Sequence, residues 1–505
     1  MKIDIVKNTS RNIIFSIAKK LYGTVLSFFM RTIMIYMLGI EYAGLNGLFT
    51  SLLNILSLAE LGAGSAIVYS MYRPIAEDDH EKICAMLSLY KKCYRIIGLV
   101  ILCIGLICMP FLSKMINGEV PDILNIHALF LMHLLITVCS YWMFAYKSSL
   151  FSAFQRTDIS SRINMFASTL EAVGQTAALI FTGSYYLYLG ISLAAVFIKN
   201  CIICRTSARM YPQYKARGIL PAEEQKAIIG HVKALFLSKV GGVIVNSADT
   251  LVISAVLGIS ILGMYQNYFY ILSAVSGIII VLYHSCIAGV GNKLVLESAD
   301  SVYESFENLS FWLIWICGLC CACFLGLFQP FIRIWVGERM LLEYGIVVIF
   351  CIYFYIFQMM GLASAFEDAG GIWHYDRFRP LLEGLLNLLL NLVMVRYTGL
   401  YGILLSTIVS MAAFSFPWLL RNLFRHLFRR SMKTYLLHTA QYLFWAFMTN
   451  VGVGLLCRRM PENSIGSFCI RLAVCLILPG SILILRYGKT EKFKWLIWIL
   501  IRIKK

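Results

Sequence analysis

Charged and amide side chains inside apolar stretches are the residues of this chain best suited to bind a polar ligand. They are Lys20, Arg31, Lys239, Asn246 and Asp249. At about 100° per residue, Lys20 and Arg31 fall close to one face of a helix, and Lys239 and Asn246 share a face of another. Lysine and arginine are the usual partners of phosphate groups, so these positions favour the binding of an anion.

The cost of placing a charge in a membrane limits where these side chains can point. The polar stripe on the first of the two helices consists of Ser16, Lys20, Thr24, Ser27 and Arg31. A charge facing lipid at the bilayer centre costs about 3 kcal/mol or more, so we expect the stripe to face a water-filled cavity or another helix. In the alternative, Lys20, Arg31 and Lys239 snorkel to the nearest end of their span. Asp249 is too short to snorkel, and its interior role is either ligand binding or a structural ion pair.

The elements that must hold these residues are membrane spans. Apolar residues make up 60% of the 505-residue chain and charged residues 14%, whereas a soluble domain carries about a quarter charged residues. We predict an all-α polytopic membrane protein with about 14 transmembrane helices, because fourteen apolar stretches are long enough to cross a bilayer. They cover residues 12–38, 44–71, 90–112, 123–146, 160–182, 185–204, 234–256, 262–288, 308–332, 342–364, 379–395, 400–420, 435–457 and 465–485.

Lysine and arginine are distributed unevenly over the connections between these spans. The even-numbered connections, counted with the adjoining span ends, hold 32 of the 44 Lys and Arg, whereas the odd-numbered connections hold six. Cationic residues near helix ends stay in the cytoplasm, so we expect both termini to be cytoplasmic. The net charge of +18 does not indicate nucleic-acid binding, because these residues are scattered over short loops, where anionic membrane lipids are the expected partners.

An internal repeat predicts how the spans are grouped. At an offset of 219 residues, eight of the 38 positions from residue 20 to residue 57 are identical, and they include Gly39 with Gly258 and Gly44 with Gly263. Such repeats are usual in secondary transporters, which bind substrate between them. We therefore predict an N-lobe over 1–204, a cytoplasmic linker over 205–233 and a C-lobe over 234–432, which form two pseudo-symmetric six-helix lobes. Two further helices over 433–488 and a basic amphipathic tail over 489–505 complete the chain.

The sequence carries no motif of an enzyme. Gly488, Lys489 and Thr490 end like a P-loop, but the position five residues earlier is Leu483 rather than glycine. The sixteen cysteines lie mostly inside spans, where cysteine behaves as a small hydrophobe, so we expect neither a zinc site nor disulfides. The odd-numbered connections have at most about a dozen residues, too few for a catalytic outer domain. We predict a protein that is not an enzyme and has no metal or organic cofactor.

Other polar residues inside the spans predict packing. Glu383, Asn387 and Asn391 recur every four residues on one face of the eleventh span, which predicts a hydrogen-bonded seam between two helices. For Glu60 and Glu171 two roles stay open, pairing with a cation and capping of local packing.

Several short segments resemble the bacterial polysaccharide flippases of the multidrug/oligosaccharidyl-lipid/polysaccharide exporter superfamily. The first is LGIEYAGLNGLF at 38–49, and it is followed by LAELGAG at 58–64 and YRP at 72–74. The segment DTLVI at 249–253, with LG at 257–258 and GMY at 263–265, resembles the start of that family's second lobe. Span number and lobe layout extend the resemblance over essentially the whole chain, and the segments themselves cover about a fifth of it.

The resemblance implies two six-helix bundles around a central cavity that opens alternately to each side. It also implies an undecaprenyl-diphosphate-linked oligosaccharide as substrate, moved from the cytoplasmic to the outer leaflet of the bacterial cell membrane during cell-surface polysaccharide biosynthesis. Lys20, Arg31 and Lys239 would then offset the diphosphate charge inside the cavity. A polysaccharide polymerase and glycosyltransferases are the protein partners that such a flippase implies.

Three alternative functions stay open at the level of sequence. A multidrug or cation antiporter of the same superfamily would use the acidic residues Asp249, Glu60 and Glu171. A lipid II flippase would share the fold and the diphosphate chemistry. A membrane polysaccharide polymerase or ligase would be an enzyme and would need a large external loop. Coupling to H⁺ or Na⁺ is left undecided by the residues.

Overall fold

The chain folds into α-helices joined by short connections. The computed structural model describes residues 5–60, 63–118, 121, 123–296, 298–461 and 465–495, and this part of the chain contains no β-strand. The chain divides into two compact units, Met1–Gly263 and Met264–Lys505.

The first unit contains ten complete helices and the start of an eleventh. They are α1 (Ile5–Met37), α2 (Ile40–Leu56), α3 (Ala63–Ala76), α4 (His80–Cys108), α5 (Leu112–Met115), α6 (Ile126–Trp142), α7 (Ser148–Ala153), α8 (Thr157–Thr182), α9 (Tyr185–Met210), α10 (Ala222–Val252) and α11 (Ile259–Leu296). Inside this unit α1 packs on α8, α8 on α9 and α4 on α6, while α10 packs on α2 and α3.

The second unit begins within α11 and contains the remaining helices. They are α12 (Ala299–Val336), α13 (Tyr344–Gly370), α14 (Arg379–Thr398), α15 (Leu400–Val409), α16 (Phe416–Asn422), α17 (Lys433–Arg458) and α18 (Ile465–Tyr487). The long helix α12 lies at the centre, because α13, α17 and α18 all pack on it. The segments Ser410–Ser415 and Leu423–Phe428 are wound as π-helix and continue α15 and α16.

Each of the fourteen predicted spans coincides with a helix or a pair of helices, so the all-α membrane fold is confirmed. Within the described residues, ten helices are long and apolar enough to cross a membrane, and a bent pair formed by Ile126–Trp142 and Ala145–Ala153 raises the number to eleven. The count of 14 is therefore approximate. The first span carries three cations, the second is interrupted at Ser57–Glu60, and the fifth carries polar residues such as Glu171 and Gln175.

The division between the two units falls after Gly263, beyond the predicted linker. The reason is that α10, which contains the seventh predicted span, packs on α2 and α3 within the first unit. The six-helix lobes stay a prediction. In the predicted tail, Lys492 is held against α12, since Trp312 Nε1 donates to the Lys492 carbonyl at 2.9 Å and the Lys492 ammonium lies 2.7 Å from a Glu307 carboxylate oxygen. Residues 496–505 of the tail lie outside the described residues.

Candidate functional site

The internal repeat has the same backbone conformation in both copies. Gly39, between α1 and α2, has φ 112° and ψ 172°, and Gly258, ahead of α11, has φ 103° and ψ 164°. Side chains with a Cβ rarely adopt such a positive φ. Glycine at these two positions therefore allows one helix to end and the next to begin at the following residue. The backbone enters α2 and α11 with nearly the same φ and ψ.

The first turns of α2 and α11 cross each other within the first unit at two glycines. A Cβ on Gly44 would lie 2.4 Å from the carbonyl oxygen of Ile259, and a Cβ on Gly263 would lie 2.8 Å from that of Ile40. Ile40 and Ile259 are themselves equivalent at the 219-residue offset, as are the two glycines. The contact is thus pseudo-symmetric, and we call these four residues the glycine crossing.

Polar contacts on both sides hold the glycine crossing together. Arg31, a predicted site residue, is half-buried, and its Nη2 donates a hydrogen bond to the Gly263 carbonyl oxygen at 3.1 Å. The Ser260 hydroxyl donates to Glu41 Oε1 at 3.2 Å, and these two residues are again 219 positions apart. Arg31 therefore links the end of the polar stripe on α1 to the glycine crossing.

The rest of the polar stripe on α1 is accessible. Lys20, Ser16 and Ser27 are exposed, while Thr24 is half-buried and its hydroxyl donates to the Lys20 carbonyl at 3.0 Å. Beside the stripe runs an exposed apolar row. Its members are Ile17, Leu21, Val25 and Phe29. One helix thus presents a cationic face, which carries Lys20 and Arg31, next to an apolar face.

The predicted site residues on α10 are described only in part. Lys239 and Asn246 lie on this helix, but their side chains lie outside the described residues. Asp249 is buried, as are its neighbours Ser247 and Thr250. Asp249 is therefore in the interior, as predicted, while the binding role of all five predicted site residues, Lys20, Arg31, Lys239, Asn246 and Asp249, stays a prediction.

A half-buried carboxylate held by tyrosines was not predicted. Glu60 lies in the short 3₁₀ segment Ser57–Glu60 that separates α2 from α3. Its Oε1 accepts a hydrogen bond from Tyr94 at 2.8 Å, its Oε2 accepts one from Tyr141 at 2.6 Å, and Tyr90 donates to Tyr94 at 2.8 Å. Of the two roles left open for Glu60, these contacts correspond to capping of local packing. The tyrosines come from α4 and α6, so no local spacing in the sequence indicates the cluster.

A buried ion cluster in the second unit was also not predicted. The Arg379 guanidinium lies 2.7 Å from Asp376 Oδ2 and 3.2 Å from Glu383 Oε2, and it donates to the Ser415 hydroxyl at 2.7 Å. Arg379, Asp376 and Glu383 are all buried, as is the adjacent Glu367. Three acidic groups surround one guanidinium here. A buried charge of this kind is tolerated because it is paired and hydrogen-bonded.

The predicted seam on the eleventh span is present and continues this ion cluster. Asn387 Nδ2 donates to Thr407 Oγ1 at 2.8 Å, and Ser406 donates to Asn391, so that α14 and α15 are joined by side-chain hydrogen bonds. Asn387, Asn391 and Glu383 are all buried. Their spacing of four residues places them on one helix face and was the signal from which the seam was predicted.

Comparison with known proteins places this arrangement in a family. Residues 9–287, more than half of the chain, match the family described as polysaccharide biosynthesis protein. The chain belongs to this family. The predicted kinship with polysaccharide flippases is therefore confirmed, and the protein is a multi-pass protein of the cell membrane. No curated protein is significantly similar to the sequence.

Three solved structures that share the fold of this chain are distant from it in sequence. A lipid II flippase MurJ in an inward closed conformation is 12% identical, with a TM-score of 0.69 over 94% of this chain and 99% of that chain. A multidrug resistance MATE family transporter of the MOP superfamily is 15% identical in its inward-facing conformation, with a TM-score of 0.62 over 81% of this chain and 94% of that chain. An outward-facing structure of such a transporter is 13% identical, with a TM-score of 0.53 over 83% and 96% of the two chains. At these identities the likeness establishes the fold.

Proposed function

We propose that this protein is a flippase that moves a lipid-linked, diphosphate-bearing oligosaccharide from the cytoplasmic to the outer leaflet of the cell membrane. Membership in the polysaccharide biosynthesis protein family and the fold that it shares with a lipid II flippase support this function. The chemistry is translocation without bond cleavage, so the protein is not an enzyme. Both termini lie in the cytoplasm by the distribution of cationic residues.

The observation that carries the proposal is the accessible cationic face of α1 beside an exposed apolar row. Lys20 is exposed on this face and Arg31 is half-buried at its end. An anionic diphosphate would follow the cationic face, while the lipid tail would stay along Val25 and its apolar neighbours. A hydrogen bond to a charged group contributes about 1.5–3 kcal/mol, so each cation on this path raises the affinity for the headgroup about tenfold or more.

Translocation also requires a contact that can close one side of the path and open it again. We assign this role to the glycine crossing, because Gly44 and Gly263 let two helices meet at backbone distance in one state. Arg31 sits at this contact through its bond to the Gly263 carbonyl, so an arriving diphosphate would compete with that carbonyl for the guanidinium. Movement of H⁺ or Na⁺ through the same protein would drive this opening and closing, and the proposal assigns neither ion.

Two other transported substrates fit the same family and fold. A cation or multidrug antiporter would need an acidic group that a cationic substrate can reach. Glu60 already accepts two tyrosine hydrogen bonds, and Asp249 is buried with a partner of its own. Glu171 is half-buried and accepts a hydrogen bond from Gln175 Nε2 at 3.4 Å. The acidic residues named for such an antiporter are therefore engaged within the protein, which favours an anionic substrate. A lipid II flippase would use the same cationic face, and it would differ from the proposed flippase only in the saccharide that its lipid carries.

The test is translocation by the purified protein in proteoliposomes. The double variant Lys20→Ala with Lys239→Ala should move an undecaprenyl-diphosphate-linked oligosaccharide at least tenfold more slowly than the unmodified protein. Lys19→Ala is the matched control, since Lys19 is an exposed neighbour on the same helix that lies about 100° away from Lys20. Unchanged translocation by the double variant, with normal insertion into the membrane, would contradict the proposal.

A further inference from the structure

A groove runs along the second unit between α13 and α17 and has a volume of about 490 Å³. Two rows of residues spaced four apart form its walls. They are Tyr344, Val348, Ile352 and Ile356 on α13, and Leu443, Phe447, Val451 and Leu455 on α17. A spacing of four keeps each row on one helix face. The groove therefore runs along the two helices.

The length of the groove matches one leaflet of a bilayer. The lining positions on α17 extend from Leu443 to Arg458, which is about 22 Å of helix, and those on α13 from Tyr344 to Ile356 cover about 18 Å. Half of the hydrocarbon core of a bilayer measures about 15 Å. The groove can therefore hold an acyl chain of one leaflet over its full length and still reach the headgroup level.

The lining is apolar and open to the side. Ile352, Phe447 and Leu455 are 44%, 58% and 57% exposed, so the walls are not covered by other helices of this chain. The polar residues Tyr355 and Asn450 also line the groove, and Asn450 is buried. Among the described residues that line the groove, Arg458 alone carries a charge.

Arg458 lies at one end of the groove, beside Tyr344. Its guanidinium stacks over the Tyr344 ring at 4.3 Å from the centroid, and the residue is exposed. The chain just beyond it is held by Arg471, whose Nη2 donates to the Met460 carbonyl at 2.6 Å. An exposed guanidinium at the end of an apolar channel complements a phosphate attached to a hydrocarbon chain.

We propose that this groove binds an anionic phospholipid, with one acyl chain between the two rows and the phosphate on Arg458. By the predicted topology this end of α17 faces the outer leaflet, on the side that holds only six of the 44 Lys and Arg. Membrane insertion leaves few Lys and Arg on the outer side. An arginine at the groove mouth is therefore unusual there, and an anionic ligand would complement its charge. A phospholipid fits better than the polyprenyl carrier of the proposed substrate, because that carrier is much longer than the groove.

The first arm of the test changes the charge at the groove mouth. The unfolding temperature of the purified full-length protein in detergent is measured with increasing phosphatidylglycerol, phosphatidylcholine or undecaprenyl phosphate. Phosphatidylglycerol should raise it most, and Arg458→Gln should weaken the apparent affinity for this lipid roughly tenfold. Arg459→Gln is the matched control, since Arg459 is exposed and adjacent but does not line the groove.

The second arm fills the groove without changing any charge. Val451→Trp places an indole between the two rows and should remove the stabilisation by phosphatidylglycerol, whereas Met448→Trp, at an equally exposed position outside the groove, should retain it. Equal stabilisation by phosphatidylcholine, or an unchanged response of Arg458→Gln and Val451→Trp, would overturn the proposal. Stronger stabilisation by undecaprenyl phosphate through the same two residues would also overturn it and assign the groove to the carrier lipid. Because Lys20 and Lys239 are untouched, translocation can fail or succeed independently of these outcomes.

Discussion

Replacing Gly44 by alanine tests whether the glycine crossing is a contact that opens and closes. The added Cβ would lie 2.4 Å from the Ile259 carbonyl oxygen, whereas carbon and oxygen approach comfortably at about 3.3–3.6 Å. The two helices must therefore separate by about 1 Å. Overpacking of this kind costs about 1–3 kcal/mol, and alanine recovers up to about 1 kcal/mol through its higher helix propensity.

The net cost of about 1–2 kcal/mol corresponds to a factor of about 5–30 in the equilibrium between the closed and open contact. Hydrogen–deuterium exchange of the protein in nanodiscs should show faster exchange of amides in 38–48 and 256–263 for Gly44→Ala. Gly190→Ala in α9 is the matched control, because its Cβ would meet nothing within 4 Å. The double variant with Gly263→Ala should lose less protection than the two single effects combined, since contacting residues are not additive. Equal exchange in Gly44→Ala and Gly190→Ala would refute this reasoning.

Three further substitutions test the hydrogen-bonded polar groups inside the two units by thermal or denaturant unfolding of the purified protein. Arg379→Met should destabilise the second unit by about 3–5 kcal/mol, because it leaves buried carboxylates without their cation; a loss under 1 kcal/mol would show that the cluster is not charged. Asn387→Leu should cost about 1 kcal/mol by removing the bond to Thr407, and a gain in stability would argue against the seam. Glu60→Gln should cost about 1–3 kcal/mol, because an amide nitrogen cannot accept a tyrosine hydrogen bond. An unchanged free energy of unfolding would show that this bond does not stabilise the protein.

Features set by local periodicity were predictable from the sequence. The helices that contain the fourteen predicted spans follow from runs of apolar residues, and the seam through Asn387 and Asn391 follows from their spacing of four. The repeat at Gly39 and Gly258 was visible as an identity, and the structure adds the reason, which is a shared positive φ between successive helices. The sequence identity does not reveal the contact between the two copies, in which Gly44 packs against the start of α11 and Gly263 packs against the start of α2.

Features that depend on contacts between distant segments were not predictable. The tyrosines around Glu60 lie 34 and 81 positions away, and Ser415 lies 36 positions from Arg379. Nothing in the spacing of either set indicates the contact. For Lys20, helical periodicity predicts which face of α1 carries the residue, but it does not predict what that face contacts. The groove at Arg458 needs two helices, α13 and α17, whose separate patterns are ordinary apolar rows.

The central claim is that cationic side chains accept an anionic headgroup during translocation. The most direct measurement compares, in one proteoliposome preparation, the transfer of two lipids that carry the same saccharide, one through a diphosphate and one through a neutral linkage. The account predicts that the diphosphate-linked lipid is translocated at least tenfold faster and that Lys20→Ala with Lys239→Ala abolishes this difference. Equal rates for the two lipids in the unmodified protein would contradict it.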